Sequence, residues 1–195
     1  DSKFLYNGNI NLKPFFSNLE GYVEKLNLSY LFNSNGIIQQ LLSTEIFHNK
    51  NIEFGLSINA DKILNFNSFT NMILNFKIQD GLIDIDNTKF EWKNYATFNL
   101  YESLIYNKNG ELFLDGKTHI VIKDYNGIYR FLVTPKNYRK KIKIIDLNYI
   151  YNFDQDVMQL QNIKINGKFN EKVNLTIDNI IIKDNNLKNK IYLKN

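Results

Sequence analysis

Two acidic pairs have the spacing that chemistry needs. Asp84 and Asp86 stand two positions apart, and so do Asp154 and Asp156. Alternate residues of a strand point to the same side, so each pair would present two carboxylates together, as cation ligands or as an acid–base couple. The competing reading is structural: Asp154-Gln155-Asp156 fits a hairpin turn, and Asp84/Asp86 an exposed strand face. Two histidines, His48 and His119, lie far apart in sequence. His48 falls at a junction after an expected helix and His119 on the polar beat of a strand, so both read as surface residues. The glycines are isolated, which leaves no phosphate-cradling loop, and neither a nucleophile elbow nor a helical zinc motif occurs. Cysteine is absent, which excludes disulfides and cysteine-ligated metals. The chain is therefore expected to have no catalytic residue, no metal site and no cofactor.

One cationic cluster stands out: Lys136, Arg139, Lys140, Lys141 and Lys143, with Arg130 nearby. Such a group can meet anionic lipid headgroups, at ~1 kcal/mol per charge close to a membrane surface. It also reads as an ordinary solvated loop before a strand. The net charge of +4 is small and its signs are interspersed, so nucleic acid is not an expected partner.

The elements that would position these residues come from a strict two-residue rhythm. Ile52, Phe54, Leu56, Ile58 and Ala60 alternate with Glu53, Gly55, Ser57 and Asn59, and the beat returns at Met72, Leu74, Phe76 and Ile78 and at Leu112, Leu114, Ile120 and Ile122. This rhythm builds strands with one apolar and one polar face. Expected strands cover 4–13, 18–32, 51–60, 71–79, 82–92, 96–106, 111–123, 141–153, 157–169 and 172–183, with 175–192 open to either strand or helix. Seven of the nine glycines follow Asn or Asp, the dipeptides of tight hairpin turns. A helix is expected near residues 36–47, from Ile37, Ile38, Leu41, Leu42 and Ile46 at helical spacing, and a shorter one over Tyr125–Phe131. No run of 18 apolar residues could span a bilayer as a helix. Both ends read as cut, as expected of a piece of a longer protein.

The order of these pieces resembles the C-terminal region of AsmA-like bacterial envelope proteins, the group that includes YhdP and TamB. The matching pieces are the helix Ile37–Phe47 followed by His48-Asn49-Lys50-Asn51-Ile52-Glu53-Phe54, then Phe76-Lys77-Ile78-Gln79-Asp80-Gly81-Leu82-Ile83-Asp84-Ile85, Lys89-Phe90-Glu91-Trp92, and Leu160-Gln161-Asn162-Ile163-Lys164-Ile165-Asn166-Gly167. The resemblance covers roughly residues 35–170. It implies a long β-groove that passively carries or shields phospholipid acyl chains between inner and outer membrane. It also implies a periplasmic location and an inner-membrane anchor through a segment this chain lacks. The family brings no catalytic residue. What carries over is the apolar beat as a lipid-binding groove: Phe54, Leu56, Ile58, Leu74, Phe76, Ile78, Phe98, Leu100, Leu114, Ile120 and Ile122.

The expected fold is thus mainly β, one domain over 1–195: an elongated, twisted antiparallel sheet curled into a taco-like groove, with one or two short helices. The expected partners are phospholipid acyl chains and the two membranes, with an envelope protein as a further candidate. The alternative is a structural or adhesive β-domain whose sealed core leaves an edge or loop to bind another protein. Continuity separates the two. A groove needs apolar positions facing one side on every strand, whereas a sandwich needs a second sheet over them.

Overall fold

A computed structural model describes residues 5–13, 15–28, 38, 40, 52–64, 68–79, 82–178 and 182–183. Among these the alternating segments form a single twelve-stranded sheet. Its strands are β1 (Leu5–Leu12), β2 (Phe15–Leu26), β3 (Ile52–Ile63), β4 (Phe69–Gln79), β5 (Leu82–Asp84), β6 (Lys89–Trp92), β7 (Ala96–Lys108), β8 (Glu111–Ile122), β9 (Ile144–Asn152), β10 (Val157–Ile165), β11 (Lys168–Phe169) and β12 (Ile182–Lys183). Strand order follows chain order from β1 to β11, except that β6 fills the gap between β4 and β7 beside β5, and β12 pairs with β10. The architecture is the expected large, mainly β sheet with short helices.

The departures have local causes. All the pairings are antiparallel except β2 with β3, which run parallel in register from Phe15↔Ile52 to Leu26↔Ile63. These two strands are joined by residues 27–51, and a long connection lets the chain return to the same end of the sheet. The segment expected as one strand over 82–92 splits into β5 and β6. Asp84 Oδ1 accepts from the Asp86 backbone N–H (2.7 Å), and Asn87 turns the chain with φ 60°. The end expected as strand 172–183 folds instead as a helix, α2 (Glu171–Asp178), followed by β12. It is anchored by Asn174, whose side chain accepts from Ile163 N–H (2.6 Å) and donates to the Ile163 carbonyl (2.9 Å). The helix α1 (Tyr125–Phe131) lies where expected, capped by Asp124 accepting from Gly127 N–H (2.8 Å). Of the helix expected at 36–47, only Ile38 and Gln40 are described, both helical, and Ile38 is buried in the main core. The Asn35-Gly36 and Asp80-Gly81 turns and His48 lie outside the described residues.

Of the five Asn-Gly and Asp-Gly pairs described, two are hairpin turns. Asn109-Gly110 joins β7 to β8, and Asn166-Gly167 joins β10 to β11, with positive φ at both residues as a type I′ turn requires. The other three sit inside elements: Asn7-Gly8 in β1, Asp115-Gly116 in β8 and Asn126-Gly127 in α1. At Gly116 the glycine is needed for close approach, because a Cβ there would lie 2.2 Å from Ser103 Oγ.

Three bulges keep the apolar side chains on one face. Each inserts one residue with positive φ into a long strand: Asn71 (50°) in β4, Glu102 (47°) in β7 and Asn162 (53°) in β10. An extra residue would flip every later side chain if the chain stayed regular, and the left-handed residue absorbs that flip. Asparagine tolerates this conformation and glutamate does so less readily.

A further left-handed residue ends α1. Val133 has φ 56°, its N–H bonding to Arg130 O (3.1 Å) and the Thr134 N–H to Tyr129 O (2.8 Å). This is the Schellman arrangement, whose left-handed position usually holds glycine. A β-branched residue is strained there. Val133→Gly should therefore stabilise the fold by roughly 1 kcal/mol, the relief exceeding the added chain entropy. Urea unfolding followed by circular dichroism would show the midpoint rise, and a fall would mean that Val133 makes compensating contacts.

Candidate functional site

The strand register places all eleven expected groove positions on one face. Phe54, Leu56 and Ile58 of β3 lie opposite Ile78, Phe76 and Leu74 of β4. Ile78 is carried across β5 and β7 by Ile83 and Ile105 to Leu114 of β8. Phe98 lies opposite Ile120, and Ala96 opposite Ile122. The face continues into β9, where Tyr151, Tyr149, Leu147 and Ile145 oppose Leu114, Gly116, Thr118 and Ile120. At the other edge it reaches β1 through Phe15↔Leu12, Ser17↔Ile10 and Gly21↔Tyr6. Leu100 and Leu114 pack against both hydrophobic clusters of the sheet and join them into one surface. Directly opposed apolar pairs of this kind are the unit of sheet stabilisation.

Coverage of this face is graded. Leu74 and Ile78 are 3% and 2% exposed, and Ile58, Phe76 and Ile120 are buried as well. Phe54, Leu56, Phe98, Leu100, Leu114 and Ile122 are half-buried. On β1 the face is bare, with Tyr6, Ile10 and Leu12 all exposed. Aromatic rings gather along its β6–β7 stretch: Phe90 stacks on Phe98 (centroids 4.9 Å) and meets Phe69 edge-on (5.4 Å), while Trp92 meets Phe131 of α1 edge-on (5.4 Å). Ile83, Ile105 and the Tyr149 row belong to the same face but are missing from the sequence-read set. For Ile105 the reason is the Glu102 bulge, which shifts the beat by one residue after Leu100.

Each acidic candidate is held in a structural bond. Asp86 Oδ1 accepts from Ser103 N–H (2.7 Å), beside the Glu102 bulge. Asp154 Oδ2 accepts from Leu112 N–H (2.6 Å), and Asp156 accepts from the Tyr151 hydroxyl. With Asp84 bonded to the Asp86 backbone, each of these carboxylates serves a turn or a bulge, and Asp84 and Asp86 also line one shallow depression. His119 lies on the polar face, where Nδ1 donates to Asp146 Oδ1 across β8 and β9 (2.6 Å). Among the described residues no three His, Asp or Glu side chains come together in a metal-binding group. The polar face is instead laced with cross-strand ion pairs: Lys77 with Glu53 (2.9 Å), Lys117 with Glu102, and Lys123 with Glu91 (2.6 Å). The Lys123 ammonium and the Asn71 amide hold the Glu91 carboxyl below the usual carboxylate range. A shallow depression of about 350 Å³ on this side has Glu53, Lys77, Asp84 and Asp86 in its lining, three carboxylates against one ammonium.

No protein-family model, no curated protein and no solved structure matches this chain. The geometry therefore carries the functional argument.

One buried polar contact spans the apolar face. The bulge at Glu102 turns Ser103 toward β8, and Gly116 leaves room for Ser103 Oγ to meet the Tyr149 hydroxyl (3.0 Å). Burial pushes the Tyr149 phenol up to about 12, only partly opposed by the Ser103 hydrogen bond. Between pH 10 and 12 the unfolded chain loses this proton and the folded chain keeps it, so stability falls as pH rises through that window. The loss is on the order of 3 kcal/mol for a shift of about two pH units. Urea unfolding midpoints measured from pH 9 to 12 should drop steeply in the native protein and less in Tyr149→Phe. Equal slopes would remove Tyr149 from the account.

Proposed function

We propose that this chain is a lipid-handling β-module, its apolar face binding phospholipid acyl chains passively, as in the AsmA-like envelope proteins it resembles. The observation that carries this reading is the continuity of one apolar face from β1 to β10 in a single sheet, with no second sheet over it among the described residues. Soluble proteins seldom leave a broad apolar strip bare, so its exposed and half-exposed parts call for a ligand or partner. Burying hydrocarbon contributes ~25 cal/mol per Å², and a row of similar contacts without a deep pocket lets a chain slide from one to the next. In the intact protein, on this reading, the module works in the periplasm between inner and outer membrane.

A second reading has its own support. The near-complete burial of Leu74 and Ile78 favours a sealed centre, as in a structural or adhesive β-domain that binds another protein by an edge or loop. The two readings differ at the half-buried positions. A charge at Phe76 would be a poor probe, because that side chain is buried and an unpaired carboxylate there would unfold the sheet. Ile122 is half-buried, and its neighbour Val121 is exposed on the opposite face. Native mass spectrometry with lipid extraction should find phospholipid on the protein purified from a bacterial host. Ile122→Asp should lose that lipid with its circular dichroism spectrum unchanged, while Val121→Asp keeps it. A lipid-free, compact native protein would sink the lipid reading in favour of the sealed domain.

A further inference from the structure

The connection from β8 to β9 concentrates the charge of the whole chain. Residues 125–145 contain Arg130, Lys136, Arg139, Lys140, Lys141 and Lys143 and no acidic residue. The chain has 24 cationic and 20 acidic side chains, so the remainder holds 18 against 20 and is net −2, while this stretch alone is +6. Lys136, Lys140, Lys141 and Lys143 are all exposed, and none has a carboxylate within 4.0 Å among the described residues. Elsewhere on the sheet lysines 77, 117 and 123 are paired across strands, and what sets this loop apart is four exposed, unpaired lysines within eight residues with no acid among them.

The loop is built. The Tyr129 hydroxyl accepts from Lys140 N–H (3.2 Å), Arg139 Nε donates to Thr134 O (2.9 Å), and Asn166 binds both the Lys143 N–H (2.8 Å) and the Lys141 carbonyl (3.1 Å). Held among the cations are two large apolar side chains in solvent, Val133 at 62% and Tyr138 at 69% exposure. Val133 keeps its strained left-handed backbone although it is exposed and glycine would suit the position. Strain retained in the open points to a use for the side chain. Apolar and aromatic tips beside lysines on one loop are the composition of a surface that meets charged headgroups and dips below them.

We infer that the α1–β9 loop, through Lys136, Lys140, Lys141, Lys143, Val133 and Tyr138, docks this protein on the surface of an anionic phospholipid bilayer. The cations face the headgroups, and Val133 and Tyr138 enter the interface. Trp92 of the apolar face packs on Phe131, two residues before Val133, so docking brings that end of the face to the bilayer surface. The inference stands whether or not the face carries acyl chains, since docking on a membrane and uptake of lipid are read by different measurements.

Vesicle co-sedimentation tests it with the full chain. Vesicles of phosphatidylethanolamine with phosphatidylglycerol should pellet the protein at low salt, release it at high salt, and bind far more tightly than phosphatidylcholine vesicles. Each lysine near such a surface contributes about fivefold. Replacing Lys136, Lys140, Lys141 and Lys143 with Gln should then weaken binding by about several hundredfold. Val133→Gly, expected to fold at least as well as the native chain, should weaken it by about tenfold. Binding that ignores vesicle charge, or survives the four glutamines, would overturn the inference. So would a preference for a DNA or RNA duplex with no binding to vesicles.

Discussion

The constraint on which this structure depends is facial. A single sheet of twelve strands must keep its apolar side chains on one side along its whole width, or it exposes them to water on both. Alternation does most of this, because the period of a strand is two and a sheet adds such strands in register. Long strands also twist and need bulges, and every bulge threatens the facing of all residues beyond it. Here Asn71, Glu102 and Asn162 each take a left-handed backbone and restore the beat. The Glu102 bulge has a further consequence. It turns Ser103 toward Gly116 and Tyr149, and it presents the Ser103 N–H to Asp86, so one left-handed glutamate organises both a buried polar contact and the kink between β5 and β6.

Much of this was legible in the sequence for that reason. The nine positions read from the beats at Phe54–Ile58, Leu74–Ile78 and Leu112–Ile122, and Phe98 and Leu100 of β7 with them, share one face of the sheet. What was not legible came from residues whose effect depends on a distant partner. The parallel β2–β3 pair needs the path of the connection between them, which no local pattern carries. The Asp-Gly and Asn-Gly pairs inside β1, β8 and α1 look like turns by composition. At Gly116 glycine answers instead to Ser103 across the sheet. The acidic pairs looked like chemistry because same-side spacing is what chemistry needs, yet each carboxylate is used by a backbone N–H or a tyrosine hydroxyl that spacing cannot foresee. The segment 171–178 has no decisive period, and its helix is anchored by Asn174 bonding both polar groups of Ile163 and by Ile177 packing on the sheet.

The two faces of the sheet solve opposite problems. On the polar face, lysines and carboxylates opposite one another neutralise each other, which keeps the broad surface soluble at little gain in stability. On the apolar face, burial deepens toward Leu74, Ile78 and Ile83 and thins toward β1, where Tyr6, Ile10 and Leu12 are exposed. A sheet whose only task was to fold would not need an exposed apolar row at its edge, where unpaired backbone already invites association. That gradient is the physical ground for reading the face as a surface meant to be met by hydrocarbon.

The same logic separates the β8–β9 loop from the rest of the polar surface. Were it an ordinary solvated excursion, its cations would be expected to be interspersed with acids, as they are on the strands, and its left-handed residue would be glycine. Beyond Asp124, which caps α1 and pairs with Arg130, it is instead purely cationic, braced by Tyr129 and Asn166, and tipped with Val133 and Tyr138. Clustered like charges repel one another, and a counter-charge arriving from outside relieves that repulsion, while an exposed strained valine gains where water is left behind. An anionic bilayer surface supplies both conditions at once, and the loop lies at the Trp92 end of the face that the bilayer's acyl chains would fit.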